Sequence, residues 1–383
     1  MSLHDALQAR DELKDWLCRH AYPLWWDRGA DRTQGGFHER LGLNGEPLTE
    51  PRRARVQPRQ MYAYSLAGRL GWNGPARQAI EHGLEFFLTR YRRSDGLFRT
   101  LVTWDGRPAD EEVLLYDQAF ALLGFAAACS VDAGRDDLRT LATDIHNRLR
   151  EEFRHPVAGF HESPSRSYPL SSNSHMHLLE ASLAWMDAGG GAHWEALAAQ
   201  IVDLALERCV DRRSGAIREH FAADWSPAPG LAGRIVEPGH QFEWAWLLMR
   251  WAQRTGNTPA MDSALRLIGI GEAWGVARTR EVVVGAVLDD GSVHDPQARL
   301  WPQTERIKAA CRAAVVTGEA RHWHAAIAAV RCLLKYLDTP IRGLWRDRMD
   351  ADGNFVSEPA PASSFYHLVG AVAELDWAVE QCF

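Results

Sequence analysis

The chain has 383 residues, 46% hydrophobic and 24% charged, a balance ordinary for a folded globular protein. Its net charge of −7 argues against a broad nucleic-acid or anionic-membrane surface, and no run of about 18 apolar residues suggests a membrane span. The six cysteines show neither C-x-x-C nor C-x-x-H spacing, so a zinc knuckle is not expected. They read as scattered thiols in a reducing, cytoplasmic compartment.

The N-terminal segment MSLHDALQARDELKDWLCRH reads as a charged amphipathic helix without a signal-peptide apolar core. Beyond it, six turn-and-strand markers recur: GGFHE (35–39), DGLFR (95–99), AGFHE (158–162), SGAIRE (214–219), GAVLDDG (285–291) and GLWRD (343–347). Their glycines, Gly36, Gly96, Gly159, Gly215, Gly285 and Gly343, are spaced by 60, 63, 56, 70 and 58 residues. Each marker joins a residue that permits a turn to apolar residues suited to a short strand.

Two kinds of helix alternate between the markers. ARQAIEHGLEFFLTRYRR (76–93) carries charges on one face, whereas EEVLLYDQAFALLGFAAACS (111–130) is apolar almost all round, as a doubly covered helix would be. The contrast returns between SNSHMHLLEASLAWM (172–186) and HWEALAAQIVDLALERCV (193–210), and between HQFEWAWLLMRWAQ (240–253) and PAMDSALRLIGIGEA (259–273). Six buried and six amphipathic helices suit an inner ring inside an outer one. The expected fold is therefore all-α, an (α/α)6 barrel of six helical hairpins with short β-hairpin insertions, spanning 1–383 as one domain. The helix at 3–20 would be the twelfth member, packed beside the last inner helix at 363–380. An open solenoid is the rival architecture, and it needs atypical capping repeats.

The same period locates a site. Arg59, Gln118, His177, His240, Gln303 and His367 step by 59, 59, 63, 63 and 64 residues, each in the first turn of an expected inner helix. In a closed ring they converge at one mouth. A lone histidine in an apolar helix is ordinarily a hydrogen-bonded core residue, but three in phase with an arginine point to chemistry. A helix N-terminus disfavours added positive charge, so the rings would tend to stay neutral and able to take a proton. The pairs His177/Glu180 and His240/Glu243 place a carboxylate one turn along the same face. Trp301 is the aromatic candidate for sugar contact, and Asp117, Gln118, Glu180 and Gln303 are the polar ones. Three histidines also raise metal binding, but no H-E-x-x-H occurs, and the expectation is no metal and no cofactor. The basic run PRRAR (51–55) reads as a solvated loop, though Arg53, Arg55 and Arg234 leave room for an anionic sugar.

GGF (35–37), VQPRQMYAYS (56–65), YDQAFALL (116–123), MHLLEA (176–181), PGHQFEWAWLL (238–248), RLWPQTE (299–305) and SSFYHL (363–368) together resemble the N-acylglucosamine 2-epimerase superfamily, most closely its bacterial D-mannose isomerases. The resemblance implies an (α/α)6 barrel and metal-independent histidine chemistry on a free monosaccharide. It places Arg59 on the sugar oxygens near C1 and C2, and His177, His240 with Glu243, and His367 in the active site. On that footing His367 moves the C2 proton, Arg59 stabilises a cis-enediolate, His240, supported by Glu243, opens the ring or acts as the opposite acid/base, and His177 polarises the O1 or O2 region.

The expected reaction is the interconversion of D-mannose and D-fructose, with sugar 2-epimerisation as its near alternative. A glycoside hydrolase using two of Asp117, Glu180, Glu243 and Glu305, or a non-catalytic sugar-binding barrel, is the more distant one. No nucleic-acid or membrane partner is expected, and the chain is read as a monomer or homodimer.

Overall fold

A computed structural model describes residues 3–382. The alternating apolar patterns become twelve helices of ten or more residues among the described residues. The inner six are Val56–Ser65, Leu115–Val131, Ser172–Asp187, Pro238–Thr255, Leu300–Thr317 and Ser364–Cys382. Outside them lie Ala76–Phe86, Asp136–Arg148, Ala192–Leu204, Thr258–Ile270, Ala320–Leu337 and the N-terminal Leu3–Trp16. Pattern matches position: Leu115–Val131 buries Phe120, Leu122 and Phe125 on several sides, whereas Ala76–Phe86 buries Ala79, Ile80 and Leu84 and exposes Glu81 and Glu85.

The ring closes. Ser364–Cys382 packs against both Leu300–Thr317 and Val56–Ser65. Leu3–Trp16 lies on its outer side, where Lys14 Nζ meets the buried Asp376 carboxylate at 2.8 Å. A two-residue strand from the first repeat, Arg40–Leu41, pairs antiparallel with Ala360–Pro361 from the last. Most of the other short strands link neighbouring repeats, as in the three-stranded arrangement of Arg52–Arg53, Leu101–Val102 and Pro108–Asp110, while Val276–Ala277 and Val282–Val283 form a local hairpin. No described helix is long and apolar enough to cross a membrane.

Helix starts are set locally. The Ser171 hydroxyl accepts the Asn173 N–H at the head of Ser172–Asp187, and Pro238 occupies the first turn of the next inner helix, where its missing N–H costs nothing. Several outer helices end in a widened i→i+5 turn, for example Phe87–Tyr91 and Ala205–Cys209, before the chain enters a marker.

One device then fastens marker to inner helix. The side-chain amides of Gln57, Gln118, Gln241 and Gln303 each accept the backbone N–H and donate to the C=O of a marker residue, respectively Phe37, Phe98, Ile217 and Val283, at 2.8–3.0 Å. His175 does half of this work, with Nε2 accepting the Phe160 N–H at 3.0 Å and Nδ1 donating to the Ser171 carbonyl.

Marker glycines 36, 96, 159, 215 and 343 have the expected positive φ. The fifth marker departs from expectation. Its left-handed residue is Glu281, at φ 60°, just before the clamped Val283, while Gly285 leads instead into the strand Ala286–Leu288.

Candidate active site

All six inner helices deliver side chains to one mouth of the ring, where a cavity of about 410 Å³ is lined by Arg59, His177, His240, Glu243, Trp301 and His367, together with Arg55 and Tyr116. Arg59 is fixed by a hydrogen bond to the Ser363 carbonyl at 3.2 Å and another to the Tyr116 hydroxyl at 2.8 Å. Its guanidinium lies 4.2 Å above the Phe120 ring. The indole of Trp301 stands between two histidines, with ring centroids 5.0 Å from His240 and 5.7 Å from His367.

Every one of the three histidines has Nδ1 on a carboxylate. His177 meets Glu180 Oε2 at 3.1 Å, His240 meets Glu219 Oε2 at 2.9 Å, and His367 meets Glu305 Oε1 at 2.8 Å. A ring that donates from Nδ1 keeps Nε2 for the substrate. The three rings nevertheless differ in charge. Burial pushes His177 down to about 4, against the opposing pull of its Glu180 hydrogen bond. Burial, then the positive charges of Arg59 and Lys308, hold His367 well below the usual imidazole range. Burial acts on His240 in the same sense but is overridden by the Glu219 and Glu237 carboxylates, which hold it up to about 10. At neutral pH the mouth therefore presents two neutral imidazoles, able to accept a proton at Nε2, and one imidazolium able to donate.

The pairing expected between His240 and Glu243 is corrected here. The carboxylate on His240 is Glu219, from the fourth marker, with Glu237 Oε2 at 3.6 Å. Glu243 points elsewhere in the barrel. Its Oε1 lies 3.9 Å from His177 Nδ1 and has no hydrogen-bond partner, and burial together with the charge of Glu305 raises its pKa well above the usual carboxylate value. The His177/Glu180 pair stands as the helical spacing suggests, and Tyr366 also donates its hydroxyl to Glu180.

Four other expected contacts are not among the residues lining the cavity, the first being Glu180, whose carboxylate is taken by His177 and Tyr366. Gln118 and Gln303 spend both ends of their amides on the backbone of Phe98 and Val283, which leaves neither free for a ligand. Asp117 is fully buried and accepts from the Thr100 hydroxyl at 2.5 Å. The sixfold series thus mixes two phases. Residues 57, 118, 175, 241 and 303 clamp the markers, while 59, 177, 243, 305 and 367 point inward, and His240 sits one position before a clamp.

Three residue groups bring potential metal-ligating atoms within 4.8 Å of one another: His177/Glu180/Glu243, Glu219/Glu237/His240 and Glu243/Glu305/His367. In each the histidine Nδ1 already has a carboxylate at 2.8–3.1 Å, or 3.9 Å for Glu243, and the Lys308 ammonium lies against Glu305.

Glu219, Tyr116, Tyr366 and Lys308 were not singled out from the sequence. Glu219 did leave a signal, because four of the six markers end in an acid at this place: Glu39, Glu162, Glu219 and Asp347. Each ties its marker to a later stretch of the chain. Glu39 accepts the Arg53 N–H, Glu162 the Ser171 N–H, Glu219 the Glu237 N–H, and Asp347 the Ser364 hydroxyl.

Comparison with known proteins bears on the family and the fold. The pattern of the N-acylglucosamine 2-epimerase (GlcNAc 2-epimerase) family matches residues 35–371. The chain belongs to that family. As a member of this epimerase family it is an isomerase or epimerase. It is 48% identical, over 98% of both chains, to a protein of Rhizobium meliloti (strain 1021) named mannose-6-phosphate isomerase. It is also 29% identical to a D-mannose isomerase of Thermobifida fusca, covering 88% of this chain and 89% of that one. Among solved structures, a D-mannose isomerase superposes with a TM-score of 0.88 at 19% identity, covering 97% and 98% of the two chains. Cellobiose 2-epimerase from Spirochaeta thermophila gives 0.87 at 22%, covering 98% of each, so the family's helical toroid is shared.

Proposed function

We propose that the protein interconverts D-mannose and D-fructose by histidine acid–base chemistry. The observation that carries this reading is the convergence of three carboxylate-anchored histidines and one arginine on a single cavity. His240, as an imidazolium, protonates the ring oxygen of the bound pyranose while neutral His177 takes the O1 proton, and the ring opens. C2–H then lies beside a C1 carbonyl. His367 Nε2 removes that proton, C1 and C2 become a cis-enediolate, and Arg59 faces the developing oxyanion. Return of the proton from His367 to C1, with transfer of the O2 proton to O1, gives the ketose. Trp301, between His240 and His367, offers an apolar face against which the sugar C–H groups pack.

A second reading has its own support. His177 and His367 are both neutral and anchored alike, and two bases on opposite faces of C2 would return the proton inverted, which is 2-epimerisation. Incubation with D-mannose in D₂O, then NMR of the sugars, separates the two. Fructose as the early product supports the isomerase, and glucose appearing without fructose overturns it.

The name of the Rhizobium meliloti relative raises a phosphorylated substrate. Of the arginines on the cavity, Arg53 and Arg299 are paired with Glu39 and Asp347, whereas Arg55, like Arg59, has no carboxylate in an ion pair. Arg234, the other basic residue considered for an anion, is occupied by Asp289 and Asp290. Comparing kcat/KM for D-mannose and D-mannose 6-phosphate, in the wild type and in Arg55→Ala, decides the matter. Equal losses on both sugars would show that Arg55 does not read a phosphate.

A further inference from the structure

Beneath the histidines lies a buried ionic cluster that the proton-transfer scheme above does not use. Lys308 is on the inner helix Leu300–Thr317, one turn beyond Glu305, and is 2% exposed. It is not among the residues lining the cavity. Its ammonium lies 2.6 Å from Glu305 Oε2, and the other oxygen of that carboxylate holds His367 Nδ1 at 2.8 Å. On another side the ammonium rests 3.7 Å from the Trp246 ring. A buried ammonium is costly unless paired, and the partner here is the same carboxylate that anchors His367.

We propose that Lys308 is a positioning residue for the base: it holds Glu305 as a carboxylate, so that Glu305 can orient His367 and stabilise the imidazolium formed when His367 takes the C2 proton. This rests on the assignment of His367 given above. The groups facing Lys308 are the carboxyls of Glu305, Glu243 and Glu180, the phenols of Tyr62 and Tyr366, and the Trp246 indole. Burial raises Glu305, and the charge and hydrogen bond of Lys308 pull it back. Glu180 is otherwise served, since despite its burial the His177 hydrogen bond and the Lys308 charge bring it down to about 2. Burial and the charge of Glu305 raise Glu243, with the Lys308 charge opposing them, and Glu243 makes no ion pair with the ammonium. All three carboxyls feel the Lys308 charge, but of the three only Glu305 is in direct contact with the ammonium, and it is also the one bonded to His367.

Loss of the ammonium leaves Glu305 prone to take a proton. A neutral Glu305 still accepts the His367 N–H, so the ring stays in place, but it supports the imidazolium less. Lys308→Met removes the charge at similar length. Its kcat on D-mannose is expected to fall by about 30- to 100-fold with KM within about twofold, since the lost interaction belongs to the transition state. The acid limb of the kcat profile, where it reports ionisation of Glu305, moves to higher pH by about one unit because the opposing Lys308 charge is gone. Lys308→Arg restores a large part of the rate.

Because Lys308 acts through Glu305, its removal has little left to affect in Glu305→Gln. The double variant Glu305→Gln/Lys308→Met is expected within about threefold of Glu305→Gln alone, as coupled residues are non-additive. It also carries neither buried charge, so it provides the comparison if Lys308→Met fails to fold. A Lys308→Met enzyme with wild-type kcat and pH profile, or losses that multiply in the double variant, would overturn the proposal. His367→Asn keeps the two readings apart. If His367→Asn turns over normally, the assignment of the base is wrong, whereas an inactive His367→Asn beside an unimpaired Lys308→Met sinks the role of Lys308 alone.

Discussion

His240 shows how far a single residue's chemistry depends on neighbours remote in sequence. Spacing alone pairs it with Glu243, one turn on. The ring instead turns back toward Glu219, 21 positions earlier, because the marker hairpin packs over the helix N-terminus and presents its terminal acid there. No helical periodicity reaches across a hairpin, so i,i+3 spacing has no means of finding this partner. The positions of the three histidines and Arg59 were legible, because each lies in the same turn of a repeated helix. Their charge states were not, because burial and the approach of Glu219, Glu237 and Lys308 are tertiary facts.

Glu219→Gln tests the charge assigned to His240. With the carboxylate gone, the strongest influence raising His240 is lost, so the basic limb of the kcat/KM profile should move down from about 10 toward the ordinary 6.5. Stability carries the same sign. A raised imidazole stabilises the fold fully below pH 6.5, and the contribution fades as pH rises through about 10. His177 acts oppositely, since its neutral burial is penalised as pH falls from 6.5 toward 4. Thermal melts from pH 6 to 10 check the first statement: wild type should lose more stability over that range than Glu219→Gln, and parallel curves would refute it.

At the scale of elements, the markers and inner helices are coupled by one repeated bond pattern. Helix identity and the buried/amphipathic alternation were readable from apolar periodicity. The phase of the polar residues was readable only to within one or two positions, which in a helix is enough to exchange a cavity-facing side chain for one that faces a hairpin. Gln118 and Gln303 are the residues on which this shows, and Gly285 shows the same slip in a marker, where Glu281 takes the left-handed turn. Gln118→Ala should behave as a structural change. It strands the buried Phe98 N–H and C=O, which at a desolvation penalty of roughly 1–3 kcal/mol each predicts a loss of about 2–6 kcal/mol in denaturant unfolding. KM for D-mannose should stay within about twofold of wild type, because the amide never faced the ligand. A large rise in KM with unchanged stability would return Gln118 to the binding site.

For the whole molecule, the question left by the sequence was closure, and the answer lies at the chain ends. A solenoid's terminal helix touches only its neighbour, so its loss is a local event. Here Leu3–Trp16 packs on both Ala320–Leu337 and Ser364–Cys382, and the latter also carries His367 and meets the first inner helix. The seam of the ring and the base of the active site are therefore one element. Leu13, 1% exposed within the main core, faces this seam from the N-terminal helix. Leu13→Ala should cost about 2–5 kcal/mol, the range for a buried leucine truncation. In a closed ring that cost falls on the cooperative unfolding of all six hairpins. Helix content by circular dichroism and loss of isomerase activity should then shift together, through one coincident transition, to a lower denaturant midpoint. An open array predicts something else: early loss of a fraction of the helix signal, with the activity midpoint unmoved. Recording both probes on the same samples distinguishes the two, and separated midpoints in Leu13→Ala would show that the seam is not part of the molecule's single folding unit.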